Sequence, residues 1–509
     1  MIAGKLLACF AILASIAAGC SGSPRQSATP TPAASPVPTI QATPSPTPAP
    51  TPTIQATPSP TPAADLSDPA DPSAGVGDSF YPLLGNGGYD VLHYHIDLDA
   101  EPSENTIDAV TTITAVATED LDKFNLDFLG LEVEAVAVDG VEVEFSRDGQ
   151  EMTIEPIEPV SSGAQFTVAV SYSGTPQPVD DPGVPFFPLG WHSANGVIYT
   201  VSQPSGAMTW YPNNNHPTDK ATFTFQLTVP DGVTAAATGL LTGETSADGW
   251  TTTIWQMDDP MATYLAAVYF GDFERHEQRL DNGLLIRDYI PRGSDPSTLE
   301  QLAVTPEAIR FFEEILGPYP FDAYGTIVMP FPLGFALENQ TLSIHGPNTI
   351  YPYVIAHEVI HQWLGDSVTV DDWSHIWLHE GFAHYMGLMF IADFAGQDIN
   401  AIMAEEHLAL TEEGTLPPGS IGVHELFDFN TVYRRGAQSL YALHTLVGDD
   451  LFFEISRTHY SQNAGGNTNT EVFLGIVRDI AGPDAVSLVE SWLYDSEMPE
   501  LLTVEDISS

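Results

Sequence analysis

The sequence contains only two cysteines, Cys9 and Cys20, in 509 residues. Both stand near the N-terminus, so a disulfide framework cannot brace the rest of the chain. Basic residues are also scarce, because 14 Lys and Arg face 68 Asp and Glu and the net charge is −54. Phosphate binding needs clustered cations, so this composition excludes a nucleic-acid-binding protein and a basic patch for anionic lipid. The excess of acid serves either solubility or life in high salt, where counterions screen the self-repulsion.

Long apolar runs are absent from the body of the chain, and the run at its N-terminus is too short to span a bilayer. Lys5 precedes the apolar stretch Leu6–Ala18, which Cys20 closely follows. This order is typical of an export signal. A cysteine after such a cleavage site resembles the lipobox of bacterial lipoproteins, which implies a signal peptide over residues 1–19 and a lipidated Cys20 that anchors the exported protein at the cell surface. The alternative is an ordinary secretory signal with Cys20 as a free thiol.

Proline, threonine, serine and alanine dominate residues 20–79, where a segment that begins at Pro38 recurs at Pro52. Such a composition cannot bury a core, and dense proline favours extended polyproline II. We therefore predict a disordered linker that holds the folded body away from the membrane.

Residues 80–277 have the alternation of apolar and polar side chains that predicts an N-terminal antiparallel β domain. Tyr94–Asp99 alternates in this way, and two further alternating runs, 131–138 and 141–145, flank an Asp-Gly turn. That arrangement is typical of a β-hairpin.

Residues 278–509 have a mainly helical pattern, which includes a short helical end. Thr305 is predicted to cap a helix with Pro306 in its first turn, and the helix is predicted to end at Leu316 before a Gly-Pro pair. The sequence therefore predicts an all-β domain followed by a mainly helical one.

The segment His357-Glu358-Val359-Ile360-His361 has the pattern H-E-x-x-H and apolar flanks that favour a helix. Positions i and i+4 of a helix share a face, so the two imidazoles converge on one metal ion. The glutamate beside the first histidine is placed to take a proton from water at that metal.

A third candidate ligand, Glu380, stands in the segment W-L-H-E-G-F-A, with eighteen residues between it and His361. The intervening residues hold a turn and the start of a second helix, so two antiparallel helices can bring Glu380 back to the histidines. Three protein ligands leave a fourth zinc position open for water, which is the catalytic arrangement.

Together these motifs resemble peptidase family M1, the gluzincins that include aminopeptidase N and leukotriene A4 hydrolase, in which H-E-x-x-H-x18-E binds zinc. The resemblance implies a multidomain α+β fold, with an N-terminal antiparallel β domain and a mainly helical, thermolysin-like catalytic domain that has a short helical C-terminal end. It also implies that one Zn²⁺ per chain is held by His357, His361 and Glu380, with Glu358 as the general base.

The family's G-x-M-E-N motif, whose glutamate binds the free α-amine of the substrate, has its counterpart in Phe335-Ala336-Leu337-Glu338-Asn339. The resemblance therefore implies that Glu338 binds the amine, with Ala336 and Asn339 also at the substrate. Phe335 stands in place of the first glycine, which changes the backbone groove that holds the peptide.

Two further residues match family positions. Tyr433 precedes Arg-Arg-Gly-Ala where the family has a tyrosine before Lys-Gly-Ala, which implies that its hydroxyl stabilises the oxyanion. Gln203 stands where the family has a glutamine near the substrate's N-terminus. Both residues could instead be packing residues.

The implied activity is a zinc-dependent aminopeptidase that acts on peptides with a free N-terminus, and no protein partner is evident. One alternative is an inactive peptidase scaffold that serves as a cell-surface binding protein. Another is a hydrolase of a different bond, such as the epoxide hydrolysis of one branch of the family. The chain ends soon after Trp492, so we also expect a more open cleft than in larger family members.

Overall fold

The computed structural model describes residues 75–502, which belong to one unit of the chain, Asp68–Ser509. The predicted signal peptide and the predicted lipidation site Cys20 lie outside the described residues. The predicted linker ends earlier than residue 79, because Ser79 donates from its amide and its hydroxyl to Asp372 at 2.8 and 2.7 Å. Within residues 75–502, none of the helices has both the length and the apolar composition that a membrane crossing requires.

The strands of the N-terminal β domain are β1 (Tyr89–Glu101), β2 (Thr106–Ala117), β3 (Phe124–Asp127), β4 (Glu132–Val138), β5 (Val141–Glu142), β6 (Glu144–Asp148), β7 (Glu151–Glu155), β8 (Gln165–Gly174), β9 (Gly190–Ala194), β10 (Val197–Val201), β11 (Lys220–Pro230), β12 (Thr234–Ala237), β13 (Leu240–Ala247), β14 (Trp250–Ala262) and β15 (Val268–Gly271).

An eight-stranded sheet forms the centre of this domain, with the order β13-β14-β11-β1-β2-β8-β4-β5. Inward side chains of the long strands alternate with polar ones, as in β2, where every second residue is buried. The pairing is antiparallel except between β1 and β11, which run parallel. Two smaller sheets have the orders β12-β15-β10-β9 and β3-β7-β6.

The predicted hairpin is confirmed in β4 and β5, whose turn residues Asp139 and Gly140 have φ angles of 49° and 77°. A turn with two positive φ angles matches the right-handed twist of the strands. Its second strand is shorter than predicted, because Glu144 begins β6 and joins the three-stranded sheet.

A further mixed sheet contains β16 (Phe273–Arg279), β17 (Leu285–Pro291), β18 (Ala323–Tyr324), β19 (Thr326–Val328), β20 (Ala336–Leu337) and β21 (Ser343–His345). Its order is β16-β17-β19-β21-β20, and β18 pairs with β17. Two strands that are far apart in sequence, β22 (Thr369–Val370) and β23 (Asn467–Thr468), pair in parallel. The domain boundary at 277/278 stays a prediction, and it falls inside β16. β20 lies at the edge of this sheet.

The helices are α1 (Ser297–Leu302), α2 (Thr305–Leu316), α3 (Pro352–His361), α4 (Trp377–Ala395), α5 (Ile399–Glu413), α6 (Gly436–Val447), α7 (Asp449–Asn463), α8 (Thr470–Ala481) and α9 (Pro483–Tyr494). A π-helix, Phe429–Arg435, leads directly into α6.

The predicted helix over residues 305–316 is confirmed as α2, but its capping residue was predicted one position too late. Val304 is the N-cap, and Thr305 is already helical. The hydroxyl of Thr305 is buried without a hydrogen-bond partner, so the proline rather than a side-chain cap marks this helix start.

Candidate metal and peptide site

The three predicted metal ligands lie together between α3 and α4. His357 and His361 are one turn apart on α3, and their Nε2 atoms are 3.1 Å apart. α4 passes beside them and places Glu380 Oε2 3.3 Å from His357 Nε2 and 3.4 Å from His361 Nε2. All three side chains are buried.

This triangle of atoms fits a tetrahedral zinc ion. Ligand atoms that lie about 2.1 Å from a tetrahedral ion are about 3.4 Å from each other, close to the spacing found here. Glu380 Oε2 is a buried oxygen without a hydrogen-bond donor, although it faces two imidazole nitrogens. Among residues 75–502, these three form the group of side chains that could hold a metal ion.

The charges around the triangle favour a bound cation. Burial lowers the pKa of His361, but the carboxylates of Glu380 and Glu338 outweigh it and raise that pKa to about 10. Burial raises the pKa of Glu380, but His361 and His357 outweigh it and hold that pKa below its usual range. Carboxylates thus lie around the triangle, and a cation bound there would lower their electrostatic energy.

Glu358 is buried beside the ligand pair and has no ligand position of its own in the triangle. Burial raises its pKa well above the usual value of a glutamate. A carboxylate with a raised pKa can accept a proton and return it near neutral pH.

Glu338 follows the edge strand β20 and meets a residue of the N-terminal β domain. Gln203 Nε2 donates a hydrogen bond to Glu338 Oε1 at 2.7 Å. Gln362, which follows α3, donates to the backbone oxygen of Glu338 at 2.9 Å. Burial raises the pKa of Glu338, and a neighbouring cation would stabilise its ionised form.

The neighbours of Glu338 have separate surroundings. Asn339 donates to the hydroxyl of Tyr269 at 2.7 Å, whereas Ala336 is half-buried on β20. Phe335 packs edge-on against Phe187, with ring centroids 4.9 Å apart. The aromatic residue in place of the motif's first glycine therefore links the two domains beside the edge strand.

Tyr433 lies in the π-helix, and its ring stacks on the ring of His357 with centroids 5.9 Å apart. Burial raises its pKa well above the usual value, so the hydroxyl keeps its proton. A π-helix often marks a functional site. The structure thus brings Tyr433 to the ligand triangle, although it stands 53 positions beyond Glu380 in the sequence.

Two glycines explain how the helices come close enough to form this site. A Cβ atom on Gly381 would lie 3.0 Å from the backbone carbon of Gly436, so the backbones of α4 and α6 are in direct contact.

Arg435, which precedes α6, holds the end of α9. It donates hydrogen bonds to the backbone oxygens of Trp492 at 2.8 Å and of Asp495 at 2.5 Å.

One connection between the domains was not predicted from the sequence. Lys220 Nζ donates to the backbone oxygens of Asp366, Ser367 and Gly466 at 3.0, 2.9 and 2.9 Å. Two of these oxygens belong to the loop after α3. Lys220 stands out in the sequence because basic residues are scarce. Its partners could not be identified, because they are distant in sequence.

A cluster of buried polar side chains was also not predicted. His384 and Arg434 contact Glu406, and Tyr353 contacts His384. These residues come from four separate elements, so neither periodicity nor spacing could have grouped them.

Two family models match the chain. The Peptidase M1 N-terminal domain matches residues 91–265, and the Peptidase family M1 domain matches residues 300–492. The chain is 25% identical to aminopeptidase N of Lactobacillus helveticus, over 80% of this chain and 51% of that protein. It is 23% identical to aminopeptidase 2 of Candida albicans, over 82% of this chain and 48% of that protein. The chain thus spans about half the length of the curated relatives it matches.

The fold also resembles a solved M1 zinc metallopeptidase from Deinococcus radiodurans, a variant bound to a Tyr-Ser-Ala substrate. The TM-score is 0.80 at 32% identity, over 84% of this chain and 100% of that chain. A structure described as a two-domain M1 zinc metallopeptidase bound to L-tryptophan has a TM-score of 0.79, also at 32% identity, over 84% and 99% of the two chains. These matches include both the β domain and the helical domain, and the family implies zinc. The chain therefore belongs to peptidase family M1.

Proposed function

We propose that this protein is a zinc-dependent aminopeptidase, which removes N-terminal residues from peptides. The observation that carries the proposal is the pairing of Glu338 with Gln203 close to the ligand triangle. The charges of His361 and Glu380 act on the pKa of Glu338, so the carboxylate and the triangle share one buried region. A site that holds an amine there selects the first peptide bond.

The proposed ligands His357, His361 and Glu380 match the donors of catalytic zinc sites. Bound zinc supplies a Lewis acid that polarises a carbonyl and lowers the pKa of water to about 7. Glu358 accepts the proton of the attacking water and then delivers it to the leaving amine, and its raised pKa suits both transfers.

The Tyr433 hydroxyl donates a hydrogen bond to the oxyanion as the carbonyl becomes tetrahedral. Its position against His357 supports this role, because the oxyanion forms beside the metal ligands. A donor of this kind typically contributes about 3 kcal/mol to the stability of the transition state.

The substrate's α-ammonium binds the Glu338 carboxylate, while Gln203 holds that carboxylate in place. A charged hydrogen bond in a dry site is strong, and an acetylated amine cannot form it. We therefore expect selection for a free N-terminus, with Ala336 and Asn339 at the walls of the peptide site.

The test is hydrolysis of aminoacyl-aminomethylcoumarins by the purified full-length protein, with and without a chelator, beside the same substrates N-acetylated. The proposal predicts chelator-sensitive cleavage of the free amines alone. Equal cleavage of the acetylated substrates would remove the amine anchor. If the protein binds one zinc per chain but cleaves no substrate, the result would favour the inactive binding scaffold. The presence of all three proposed ligands and of Glu358 argues against that alternative.

We also propose that the mature chain is an exported lipoprotein, attached to the membrane through lipid on Cys20. The order of Lys5, the apolar run Leu6–Ala18 and Cys20 supports this proposal. Detergent phase separation of cell extracts tests it, because the wild type should enter the detergent phase and Cys20→Ala should not. Equal partition of the two proteins would contradict the anchor.

A further inference from the structure

A buried polar cluster links the elements that carry the proposed active-site residues. Glu406 on α5 is its centre. Tyr353 lies one turn before His357 on α3, and His384 lies one turn after Glu380 on α4. Arg434 directly follows Tyr433 in the π-helix. Each neighbour of Glu406 thus shares an element with a proposed active-site residue.

The contacts in this cluster form a chain. Tyr353 Oη and His384 Nδ1 are 2.5 Å apart, and His384 Nε2 is 3.5 Å from Glu406 Oε2. Arg434 Nε is 2.6 Å from the same carboxylate oxygen. The four residues are between 2% and 8% exposed, so solvent does not compete for these contacts.

The carboxylate of Glu406 is held in its charged form. Burial raises its pKa, but His384 and Arg434 outweigh burial and hold the pKa below the usual range of a glutamate. A buried ion pair that loses one partner leaves an uncompensated charge, so the position of Arg434 depends on Glu406.

Arg434 also contacts the ring that packs against Tyr433. Its guanidinium carbon lies 5.0 Å from the centre of the Phe429 ring. Phe429 packs against Tyr433 with ring centroids 5.5 Å apart, and Tyr433 stacks on His357. A π-helix is rare and occurs mostly as a single turn at functional sites, and here these ring contacts surround it.

We propose that Glu406 is a positioning residue, which holds the π-helix so that the Tyr433 hydroxyl stays aligned with the metal ligands, an inference that rests on the proposed role of Tyr433. Glu406 does not touch the substrate. Its effect on the reaction passes through Arg434 and Phe429 to the tyrosine.

Glu413 provides a matched control, because it is a second carboxylate on the same arginine. Its Oε2 lies 3.4 Å from Arg434 Nη1, but its side chain is 45% exposed. An exposed pair of this kind contributes little. Glu406→Gln and Glu413→Gln therefore make the same chemical change at a buried and at an exposed partner of Arg434.

The test is a double-mutant cycle, in which each variant is prepared in the wild type and in Tyr433→Phe. Glu406→Gln should lower kcat by about tenfold or more with KM within about twofold, because alignment in the transition state is lost. In the Tyr433→Phe background it should add no further loss, since non-additivity reports a shared path. Glu413→Gln should stay within about twofold of wild type. Full additivity, or an unchanged kcat for Glu406→Gln, overturns the inference.

A second measurement does not depend on activity. Hydrogen exchange of the amides of residues 429–435 in the chelator-treated protein should be faster in Glu406→Gln than in Glu413→Gln, because the π-helix loses its anchor. If the wild type cleaves none of the substrates, the proposed function fails, and hydrogen exchange alone tests whether Glu406 holds the π-helix. Equal exchange rates in the two variants would overturn that role. If Glu406→Gln does not fold, Glu406→Asp keeps the charge but withdraws it by one methylene, and the same two criteria apply.

Discussion

At the scale of single residues, the site depends on a few polar atoms that share one buried space. His357, His361 and Glu380 bring three ligand atoms within 3.4 Å of one another. Glu338 and Glu358 add two buried carboxylates with raised pKa values. This concentration of carboxylates is costly without a cation, so metal and substrate amine both stabilise the arrangement.

Tyr433→Phe removes one hydroxyl from this space and leaves the ring contact with His357. We expect kcat/KM to fall by about 10²–10³-fold, because the oxyanion loses a donor. Zinc content and stability should stay close to wild type, since the hydroxyl is not a ligand. Steady-state kinetics and metal analysis measure both, and retained kcat/KM would show that the tyrosine only packs against the histidine.

Local periodicity was sufficient to place the two histidines on one helix face, whereas Glu380 was expected from its spacing and from the resemblance. An i, i+4 pair on a helix fixes His357 and His361 by local geometry alone. Glu338 and Gln203 were expected only through a resemblance, because 135 positions separate them and their hydrogen bond depends on the fold. Glu406 was not predicted, since its partners His384 and Arg434 belong to different elements.

At the scale of elements, the site requires α4 and α6 to touch where Gly381 meets Gly436. Each glycine lies in a sequence motif, and the contact gives both a packing reason. α4 is apolar on nearly all faces, as expected for a helix at the centre of a domain. The ligand Glu380 stands next to the contact, so a change in helix spacing moves the carboxylate.

Gly381→Ala should destabilise the protein by about 1–3 kcal/mol, because its methyl group would lie 3.0 Å from backbone that cannot retreat. It should also weaken zinc binding, since Glu380 is adjacent. Gly475→Ala is the matched control in α8, where an added Cβ meets nothing within 4 Å. The control should stabilise the protein by about 0.5–1 kcal/mol. Thermal unfolding and zinc titration compare the two variants. Equal effects would contradict the close contact between α4 and α6 at Gly381.

Elements with local signals were predicted, and those set by distant pairing were not. The Asp-Gly hairpin and the helix over residues 305–316 follow from turn residues and proline placement. The parallel pairing of β1 with β11 joins strands far apart in sequence, because His93 is the partner of Thr222. Strand partners over such distances depend on the packing of the whole domain.

At the scale of the whole molecule, one active site is assembled from two domains. Gln203 and Lys220 reach from the β domain to Glu338 and to the loop after α3. The net charge of −54 is spread over this body, so self-repulsion is a general cost of the fold. Buried carboxylates add to that cost when they ionise.

Glu151 shows this cost as a dependence of stability on pH. Burial, together with the charge of Asp127, raises its pKa to about 8. A glutamate has a pKa of about 4.3 when unfolded, so the folded state binds more protons between that value and about 8, and stability falls as pH rises through this window. Glu151→Gln removes the effect and should raise the free energy of unfolding at pH 8, relative to pH 5, by about 1 kcal/mol after allowance for partial exposure.

Denaturant unfolding at the two pH values measures this difference. Glu155→Gln is the control on the same strand, because its side chain is exposed. Equal changes for the two variants would show that net charge rather than burial is responsible.

One zinc ion and one amine anchor are proposed to serve the same peptide. Crystals of Glu358→Gln soaked with a tripeptide, with diffraction recorded at the zinc absorption edge, show both features at once. We expect a single anomalous peak at His357, His361 and Glu380, with the peptide's α-amine hydrogen-bonded to Glu338. A peptide bound with its amine away from Glu338, or an anomalous peak at other residues, would rule out this arrangement.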